Sequence, residues 1–364
     1  MARNTLARID SRALTHNLNV LREMCPDSAI MALVKADAYG HRLEFCLQAL
    51  EGADLLGVAT LEEAREVRQL GSHRPVLLLE GLVRARALEE AAELGLELVV
   101  HEPGQVEALE QYPEFRPERL WLKIDTGMHR LGFPLEQARA LLARLEALEG
   151  VREVVVMTHF ACADQPEHPL TVLQMQRFDA ELGQTPNPRS LANSAGILHW
   201  PESHRDWVRA GILLYGISPL AAGHGGDFGL QPVMTLESEL ISIIQVRAGE
   251  SIGYGARFVA DRDMKVGIAA IGYGDGYPRS AADGTPVLVA GRRTRLVGRV
   301  SMDMIAVDVT ELPDSAVGDT VTLWGRGLPV EEVARHAGTI AYELVCRVTR
   351  RVRFKSMEPS SDGR

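Results

Sequence analysis

Short apolar segments alternate with longer amphipathic segments from about residue 10 to residue 225, and this alternation restricts the possible folds more than any other feature. The amphipathic segments have helical length and spacing, whereas the apolar ones have the length of buried strands. Strands that alternate with helices are typical of a parallel sheet, and eight repeats predict a (β/α)8 TIM barrel. The eight candidate strands are residues 30–34, 55–59, 76–79, 96–100, 120–124, 154–157, 189–192 and 212–215.

The clearest helical pattern covers residues 134–148, where leucines and alanines recur every three or four positions opposite glutamates and arginines. Pro134 suits the first turn of this helix, and Gly150 follows its end. The seventh candidate strand, residues 189–192, is the weakest because its residues do not favour β structure strongly.

The pattern changes beyond about residue 230, where candidate strands follow one another with Gly, Pro and Asp turns between them. We therefore expect a barrel domain over residues 1–230 and a mostly-β domain over residues 231–364, with a boundary loop at 221–227. The first few residues could pair with the second domain. One late helix is predicted at 330–337, between Pro329 and Gly338. The candidate strands of the second domain are residues 234–246, 265–271, 286–289, 295–300, 304–309 and 320–323.

Composition excludes several classes of protein. The 364 residues are 46% hydrophobic and 24% charged, as in an ordinary globular chain, and the net charge of -10 argues against nucleic acid or an anionic membrane as the main partner. No apolar run approaches the ~18 residues of a membrane span. The four cysteines are scattered, which argues against a zinc site or a disulfide framework and favours the reducing cytoplasm.

Lys35 follows the first apolar strand directly and precedes a turn of small residues. An amine at the edge of a core loses solvation, which lowers its pKa and makes the neutral, nucleophilic form accessible. A lysine that forms a Schiff base requires this setting. A lysine that extends from a strand end into solvent would give the same local sequence.

Further polar residues follow the other predicted strands, at the end of a barrel where active sites lie. Each has a structural alternative: Lys123 could face outward, His159 could be a hydrogen-bonded core histidine, and Asn193 with Ser194 could cap a helix. Serine- and glycine-rich strand ends can also bind an anion, and barrels of this kind often hold a phosphate near strands seven and eight. A reactive lysine next to a phosphate site suggests pyridoxal 5'-phosphate. The residues at these strand ends are Lys35, Lys123, Asp125, Arg130, His159, Asn193, Ser194 and Arg209.

Motifs along the whole chain, taken in order, resemble the alanine racemases, a family of fold-type III pyridoxal-phosphate enzymes with a barrel and a C-terminal β domain. No single motif is decisive, but their common order is highly specific. The matching segments are residues 35–41, 123–132, 159–160, 192–195, 209–216, 253–256, 271–277 and 298–303.

The resemblance implies a role for each matching residue. Lys35 would carry the cofactor as an internal aldimine and act as the base on one face of the substrate Cα, while Tyr254 from a partner subunit would act on the other face. Lys123 would be carbamylated and would orient Arg130, which binds the cofactor phenolic oxygen and the substrate carboxylate. Asn193 would take part in cofactor binding. The remaining roles are phosphate binding by Tyr39, Ser194, Gly211 and Ile212, pyridine contact by Arg209, ring support by His159, carboxylate binding by Met302, and the entrance at Tyr273.

These roles describe interconversion of L-alanine and D-alanine through an external aldimine in a homodimer with shared active sites. Removal of a proton from one face of Cα and return to the other face needs two bases, which Lys35 and Tyr254 supply. Arg209 holds its proton firmly, so a pyridine nitrogen beside it should stay unprotonated and withdraw less charge. We read this as restraint on transamination and decarboxylation.

Five positions depart from the pattern of many relatives. Ser190 matters most, because a histidine there commonly contacts the arginine at the pyridine nitrogen. Arg350 stands where some relatives have a tyrosine that touches the phosphate, which leaves the width of the pocket open. The other departures are Asp37, Arg42 and His129.

Three alternative functions remain. A fold-type III decarboxylase would place an acidic residue where Arg209 stands. A non-catalytic carrier of the cofactor would lack the second domain. A racemase of broader amino-acid specificity is harder to exclude, and the sequence leaves open whether D-alanine production for peptidoglycan or alanine catabolism is served.

Overall fold

The computed structural model describes residues 4–82 and 85–357. Strand β1 (Leu6–Ile9) lies outside the barrel and pairs with strands of the C-terminal region. The next eight strands pair in parallel in chain order, and the last of them returns to pair with the first, so the barrel is nearly closed. These strands are β2 (Ala29–Leu33), β3 (Leu55–Val58), β4 (Val76–Leu78), β5 (Leu96–Val100), β6 (Arg119–Lys123), β7 (Glu153–Met157), β8 (Arg189–Ser190) and β9 (Trp207–Ala210).

β8 and β9 complete the barrel through individual contacts rather than a continuous ladder. The backbone N–H of Arg209 donates to the carbonyl oxygen of Ala192 at 3.0 Å, and the Ser190 hydroxyl donates to the carbonyl oxygen of Trp207 at 3.0 Å. β8 has two residues, in keeping with the weak β pattern of its sequence.

The barrel interior is a packed core. One side chain from most of its strands joins a single apolar cluster: Met31, Leu55, Leu77, Val99, Trp121, Val155, Met157 and Trp207. At the amino-terminal end of the strands, Glu97 is buried and accepts hydrogen bonds from Arg119 and from the Trp121 indole. This filled interior leaves the carboxyl-terminal rim as the surface on which a site can form.

Helices connect the barrel strands and cover them. α4 begins with a capping box in which Thr60 and Glu63 satisfy each other's backbone N–H groups. α8 buries the stripe Thr171, Gln174, Met175, Phe178 and Leu182. The helices are α1 (Ser11–Met24), α2 (Lys35–Tyr39), α3 (Leu43–Cys46), α4 (Leu61–Gln69), α5 (Ala85–Glu93), α6 (Pro103–Gln111), α7 (Ala138–Glu146), α8 (Leu170–Leu182) and α9 (Ser194–His199).

The C-terminal region is mostly β structure, and its long first strand organises it. β10 (Met234–Val246) pairs antiparallel with β1 near its start and with two later strands beyond. The other strands are β11 (Ser251–Ile252), β12 (Phe258–Val259), β13 (Met264–Ala269), β14 (Pro286–Val289), β15 (Arg292–Arg295), β16 (Ile305–Asp308), β17 (Thr320–Trp324) and β18 (Arg353–Ser356). Two helices, α10 (Val330–Ala337) and α11 (Ala341–Cys346), precede β18.

Most predicted elements are present, and the fold class is confirmed. Two strand assignments are wrong. The eighth barrel strand is β9, and residues 212–215 instead form a 3-10 turn, Ile212–Tyr215, because the apolar run there continues the core after the strand has ended. The strand predicted at 295–300 lies earlier, at β15, which an Ala290-Gly291 turn joins to β14.

Within the described ranges, no helix combines the length and the apolar character that a membrane crossing requires.

Candidate active site

Lys35 follows the end of β2 after one intervening residue, Val34, and begins a left-handed helical turn. Ala36, Asp37, Ala38 and Tyr39 all have φ between 53° and 55°. A left-handed helix of L-residues costs roughly 1–2 kcal/mol per residue, because each Cβ crowds a carbonyl oxygen. Four consecutive residues in this conformation therefore form a strained segment, and strained backbone is often found at functional sites.

Hydrogen bonds to the side chains of Glu63, on α4, and of Asp37, within the turn, hold this turn in place. Glu63 Oε1 accepts the N–H of Ala36 at 2.7 Å, and Asp37 Oδ1 accepts the N–H of Leu43 at 2.7 Å. Asp37 also forms an ion pair with Arg42 at 2.7 Å. Two departures from the family pattern, Asp37 and Arg42, are thus coupled with each other.

The Lys35 amine lies in a cationic part of the rim. Burial lowers its pKa below the ordinary 10.5, and the charges of Arg130 and Arg209 lower it further. The carboxylates of Glu63 and Glu80 act in the opposite direction. The net lowering makes the neutral amine more accessible.

Lys123 is the last residue of β6 and is 8% exposed. It lies two residues after Trp121, which packs in the barrel interior, so the two side chains point to the same side of the strand and the outward-facing alternative is wrong. Burial lowers the pKa of Lys123 to about 8, and the nearby charges of Arg209, Arg130 and Lys35 contribute. Lys123 therefore stands among cations, a setting that disfavours its own positive charge and would favour an anion.

Arg209 lies within β9 rather than at its end, and its guanidinium is buried. Its Nη1 donates to the carbonyl oxygen and the hydroxyl of Ser190 at 2.9 and 2.8 Å. Its Nη2 donates to the carbonyl oxygens of Thr158 and Leu191 at 2.7 and 3.1 Å. Burial lowers the pKa of Arg209 to about 10, and the hydrogen-bond acceptors named here are neutral.

His159 stands beside this guanidinium. Its Nδ1 lies 3.2 Å from Nη2 of Arg209, which can only donate, so Nδ1 accepts and the neutral ring carries its proton on Nε2. Burial lowers the pKa of His159, as do the charges of Arg209 and Lys123, so the ring is neutral at pH 7. It is a polar component of the rim that adds no charge.

Tyr39, Ser194 and Gly211 lie close together, and we call these three residues the cradle. The Ser194 hydroxyl accepts the N–H of Gly211 at 3.0 Å, and a Cβ at Gly211 would lie 2.5 Å from the Tyr39 hydroxyl. Asn193 caps α9, since its Oδ1 accepts the N–H of Gly196 at 2.9 Å, and Ile212 is buried directly after the glycine. Only glycine leaves room for the Tyr39 hydroxyl to approach the backbone here.

Tyr215 supports the cradle, and sequence reasoning missed it. Its ring stacks with the rings of Tyr39 and His41, with centroid distances of 5.1 and 4.5 Å, and its hydroxyl donates to the carbonyl oxygen of Leu33 at 3.0 Å. Its place in an apolar run led to the strand assignment. An aromatic hydroxyl directly before Gly216 was the available signal.

The loop after β6 carries Arg130, which is exposed. Asp125 Oδ1 accepts three backbone N–H groups in this loop, from Gly127, Met128 and His129, at 2.9 to 3.1 Å. His129 has φ of 55° and its ring pairs with Asp125 at 2.9 Å. The contact between the imidazole and Asp125 thus stabilises a left-handed backbone conformation at a position where many relatives have glycine.

The predicted residues of the second domain lie on its surface. Tyr254 is 70% exposed, Tyr273 is 40% exposed and Met302 is 52% exposed. The loops of Tyr273 and Met302 are neighbours, because Gly274 N–H donates to the Met302 carbonyl oxygen at 2.9 Å. Arg350 is also exposed. The rim residues named above all come from the barrel.

Comparisons with known proteins agree along the whole chain. The family model for the alanine racemase N-terminal domain matches residues 9–219, and that for the alanine racemase C-terminal domain matches residues 233–356. An alanine racemase of Nitrosococcus oceani is 52% identical over 347 residues, covering 95% of this chain and 97% of the relative. One from Shewanella sediminis is 50% identical with the same coverage.

Solved structures give the same result. The biosynthetic alanine racemase of Pseudomonas aeruginosa is 48% identical with a TM-score of 0.94, covering 98% of this chain and 100% of that one. The alanine racemase of Bartonella henselae, solved with covalently bound pyridoxal phosphate, is 28% identical with a TM-score of 0.86, covering 97% and 99%. Sequence and structure together show that the chain belongs to the alanine racemase family.

Proposed function

We propose that this enzyme interconverts L-alanine and D-alanine, using pyridoxal 5'-phosphate held on Lys35 and two bases, Lys35 and Tyr254, on opposite faces of the substrate Cα. The observation that carries the proposal is the buried Arg209 guanidinium, held by neutral acceptors on the same rim as the Lys35 amine. An acidic residue in its place would have favoured a decarboxylase.

The residues present fit the cofactor. The cradle of Tyr39, Ser194 and Gly211 offers two hydroxyl groups and close backbone to a phosphate, with Asn193 and Ile212 beside it. Lys35 supplies the amine from the same turn that carries Tyr39. When bound, the cofactor supplies an electron-withdrawing ring that acidifies the Cα–H of an attached amino acid.

Lys35 and Tyr254 move the protons. The lowered pKa of Lys35 allows its amine to accept a proton near neutral pH and to return it from the same face. Tyr254 is exposed on the second domain, so we infer that the partner subunit's Tyr254 reaches the opposite face in a homodimer. Each active site would then need two chains.

Arg209 restrains side reactions. Because its pKa of about 10 keeps Arg209 protonated at pH 7, it would offer a donor to the ring nitrogen of the cofactor and would not give that nitrogen a proton. The ring would then withdraw charge from Cα less strongly, which would favour return of a proton to Cα over loss of the carboxylate. His159, neutral beside Arg209, supports the same part of the site.

Arg130 and Met302 bind the substrate carboxylate in this proposal, and Tyr273 lines the entrance. Lys123 becomes carbamylated: its neutral amine attacks carbon dioxide, a C–N bond forms, and one proton is released. The pKa of about 8 gives far more neutral amine at pH 7.4 than a pKa of 10.5 would. The resulting anion, surrounded by cations, would pair with Arg130 and orient it.

The product D-alanine would serve peptidoglycan synthesis, or the reverse reaction would feed alanine catabolism. The second candidate is a racemase of broader specificity, which exposed Arg350 favours because no tyrosine narrows the pocket at that position.

Chiral chromatography tests the proposal. Purified holoenzyme incubated with L-alanine should give equal amounts of the two enantiomers, and Lys35→Ala should give none. L-serine and larger L-amino acids are tested in parallel. Absence of D-alanine would overturn the proposal, and faster turnover of another amino acid would replace it with the broader racemase.

A further inference from the structure

Gln174 is a polar residue in the apolar stripe of α8. It is fully buried, between Thr171 and Met175 on the face of the helix that packs on the barrel. Buried amides are retained where their hydrogen bonds are satisfied, so its partners indicate what it does. In the sequence, Gln174 is recognisable as a glutamine on a mostly apolar helix face.

Every polar atom of the Gln174 side chain has a partner on the rim. Oε1 accepts the N–H of Ala161 at 3.0 Å, and Nε2 donates to the carbonyl oxygen of His159 at 3.0 Å and to the hydroxyl of Thr126 at 3.1 Å. Thr126 lies in the loop after β6, whereas His159 and Ala161 lie in the loop after β7. Gln174 therefore bridges two loops that carry site residues.

The bridge continues to Arg209. Because Thr126 accepts from Gln174, its own hydroxyl can donate to the Thr158 hydroxyl, 2.8 Å away. The carbonyl oxygen of Thr158 in turn accepts from Nη2 of Arg209 at 2.7 Å. A chain of buried hydrogen bonds thus runs from α8 through both loops to the guanidinium.

We propose that Gln174 is a positioning residue of the racemase site, which fixes the loop of Arg130 relative to His159 and Arg209. This inference rests on the proposed function. Gln174 acts through Thr126 and the β7 loop, and a displacement of ~1 Å at reacting groups can lower a rate by about 100-fold. We call Gln174, Thr126 and Thr158 the rim bridge.

The central variant is Gln174→Met, which keeps the length of the side chain and removes all its hydrogen bonds. Its matched control is Asn187→Leu. Asn187 is another buried amide, donating to Glu146 Oε1 at 2.8 Å and to the carbonyl oxygen of Val154 at 3.2 Å, at the opposite end of the barrel strands. Both variants lose buried amide hydrogen bonds, but Asn187→Leu changes no contact at the rim.

We expect Gln174→Met to lower kcat for alanine by about tenfold or more, and Asn187→Leu by less than about twofold. The dissociation constant of pyridoxal phosphate, titrated by absorbance on the full-length apoprotein, should rise several-fold in Gln174→Met only. Thr126→Val cuts the bridge while leaving the bonds from Gln174 to the β7 loop, so its effect should be smaller in the same direction. In the Gln174→Met/Thr126→Val double variant, the change in log kcat should be smaller than the sum of the two single changes, because both substitutions break the same chain of hydrogen bonds.

The inference is overturned if Gln174→Met loses stability as the control does while kcat and cofactor affinity stay within twofold of wild type. Should Gln174→Met fail to fold, Thr126→Val alone decides: unchanged kcat and cofactor affinity overturn the inference. Wild-type enzyme that does not racemise alanine would instead contradict the proposed function, and the cofactor titration would still test the rim bridge.

Discussion

At the scale of single residues, the site is governed by a cluster of positive charges, of which Lys123 and Arg209 are buried. The charges of Arg130 and Arg209 lower the pKa values of Lys35 and Lys123, and His159 stays neutral and so adds no charge. Burial disfavours the charged forms of the two lysines, and the neighbouring cations add to this effect. The arrangement prepares neutral amines for chemistry and leaves the region favourable to anionic groups.

The altered ionisation of Lys123 should be visible as a pH-dependent stability. Its pKa is lower in the folded chain, about 8, than the ordinary 10.5, so the folded state binds this proton more weakly. The folded state is therefore penalised below pH 8, and the penalty is relieved as pH rises toward 10.5. Relative to Lys123→Met, the wild-type apoprotein should gain about 2 kcal/mol of unfolding free energy between pH 8 and pH 10.

Urea unfolding in buffer free of carbon dioxide measures this difference, since carbamylation would otherwise consume the neutral amine. Lys355→Met, on the exposed strand β18, controls for the loss of one lysine. An equal difference between wild type and Lys123→Met at both pH values would contradict the altered ionisation.

Several of the residues that depart from the family pattern have an ion-pair or hydrogen-bond partner in the structure. Asp37 pairs with Arg42, His129 pairs with Asp125, and the Ser190 hydroxyl accepts a hydrogen bond from Arg209. Ser190 is small, so it contacts the guanidinium without adding a titratable group. These contacts could not be derived from positions in the sequence, because the first two depend on the conformation of a turn or loop and the third on the approach of β8 and β9.

At the scale of elements, the left-handed turn after β2 is the most unusual feature. It directs the Lys35 amine and the Tyr39 hydroxyl to the rim within five residues. Glu63 stabilises the turn from outside, and Asp37 stabilises it from within. A small-residue turn was expected from the sequence, but its handedness was not. Alanine and tyrosine strongly disfavour this conformation in isolation, so tertiary contacts must select it.

Alanine-to-glycine substitutions test the strain, because their effects on the free energy of unfolding should differ between this turn and an ordinary helix. Ala36 is exposed with φ of 54°, whereas exposed Ala140 lies within the ordinary helix α7. Ala140→Gly should lower the free energy of unfolding by about 1 kcal/mol. Ala36→Gly should leave it unchanged or raise it by up to about 1 kcal/mol, because relief of strain offsets the greater entropy of the unfolded chain.

Urea denaturation of the two variants provides the measurement. Equal destabilisation at the two positions would show that the turn carries no strain that glycine can relieve.

At the scale of the whole molecule, the barrel rim is one part of the proposed active site and the surface of the second domain is the other. Tyr254, Tyr273, Met302 and Met304 present large side chains to solvent on the second domain. We propose that a partner subunit covers this surface in a head-to-tail dimer of two equivalent sites.

Mixing inactive variants tests the shared site. Lys35→Ala and Tyr254→Ala homodimers should each be inactive, but subunit exchange produces heterodimers in which one site has both bases. Random exchange of equal amounts should restore about one quarter of wild-type activity, because half the dimers are mixed and each has one intact site. Activity is assayed after mild unfolding and refolding of the mixture. Mixing without exchange is the control, and no recovery after verified exchange would argue that both bases belong to one chain.

The sequence by itself determined the fold class, most strand positions and the family, because hydrophobic periodicity and motif order are local properties that survive without coordinates. The tertiary structure decided the ending of the barrel at β9, the left-handed turn at Lys35 and the rim bridge through Gln174. These features depend on contacts between distant segments, whose energies override local preference. Lys35 was identifiable from its position after a buried strand, but only packing shows that Arg130 and Arg209 lower its pKa.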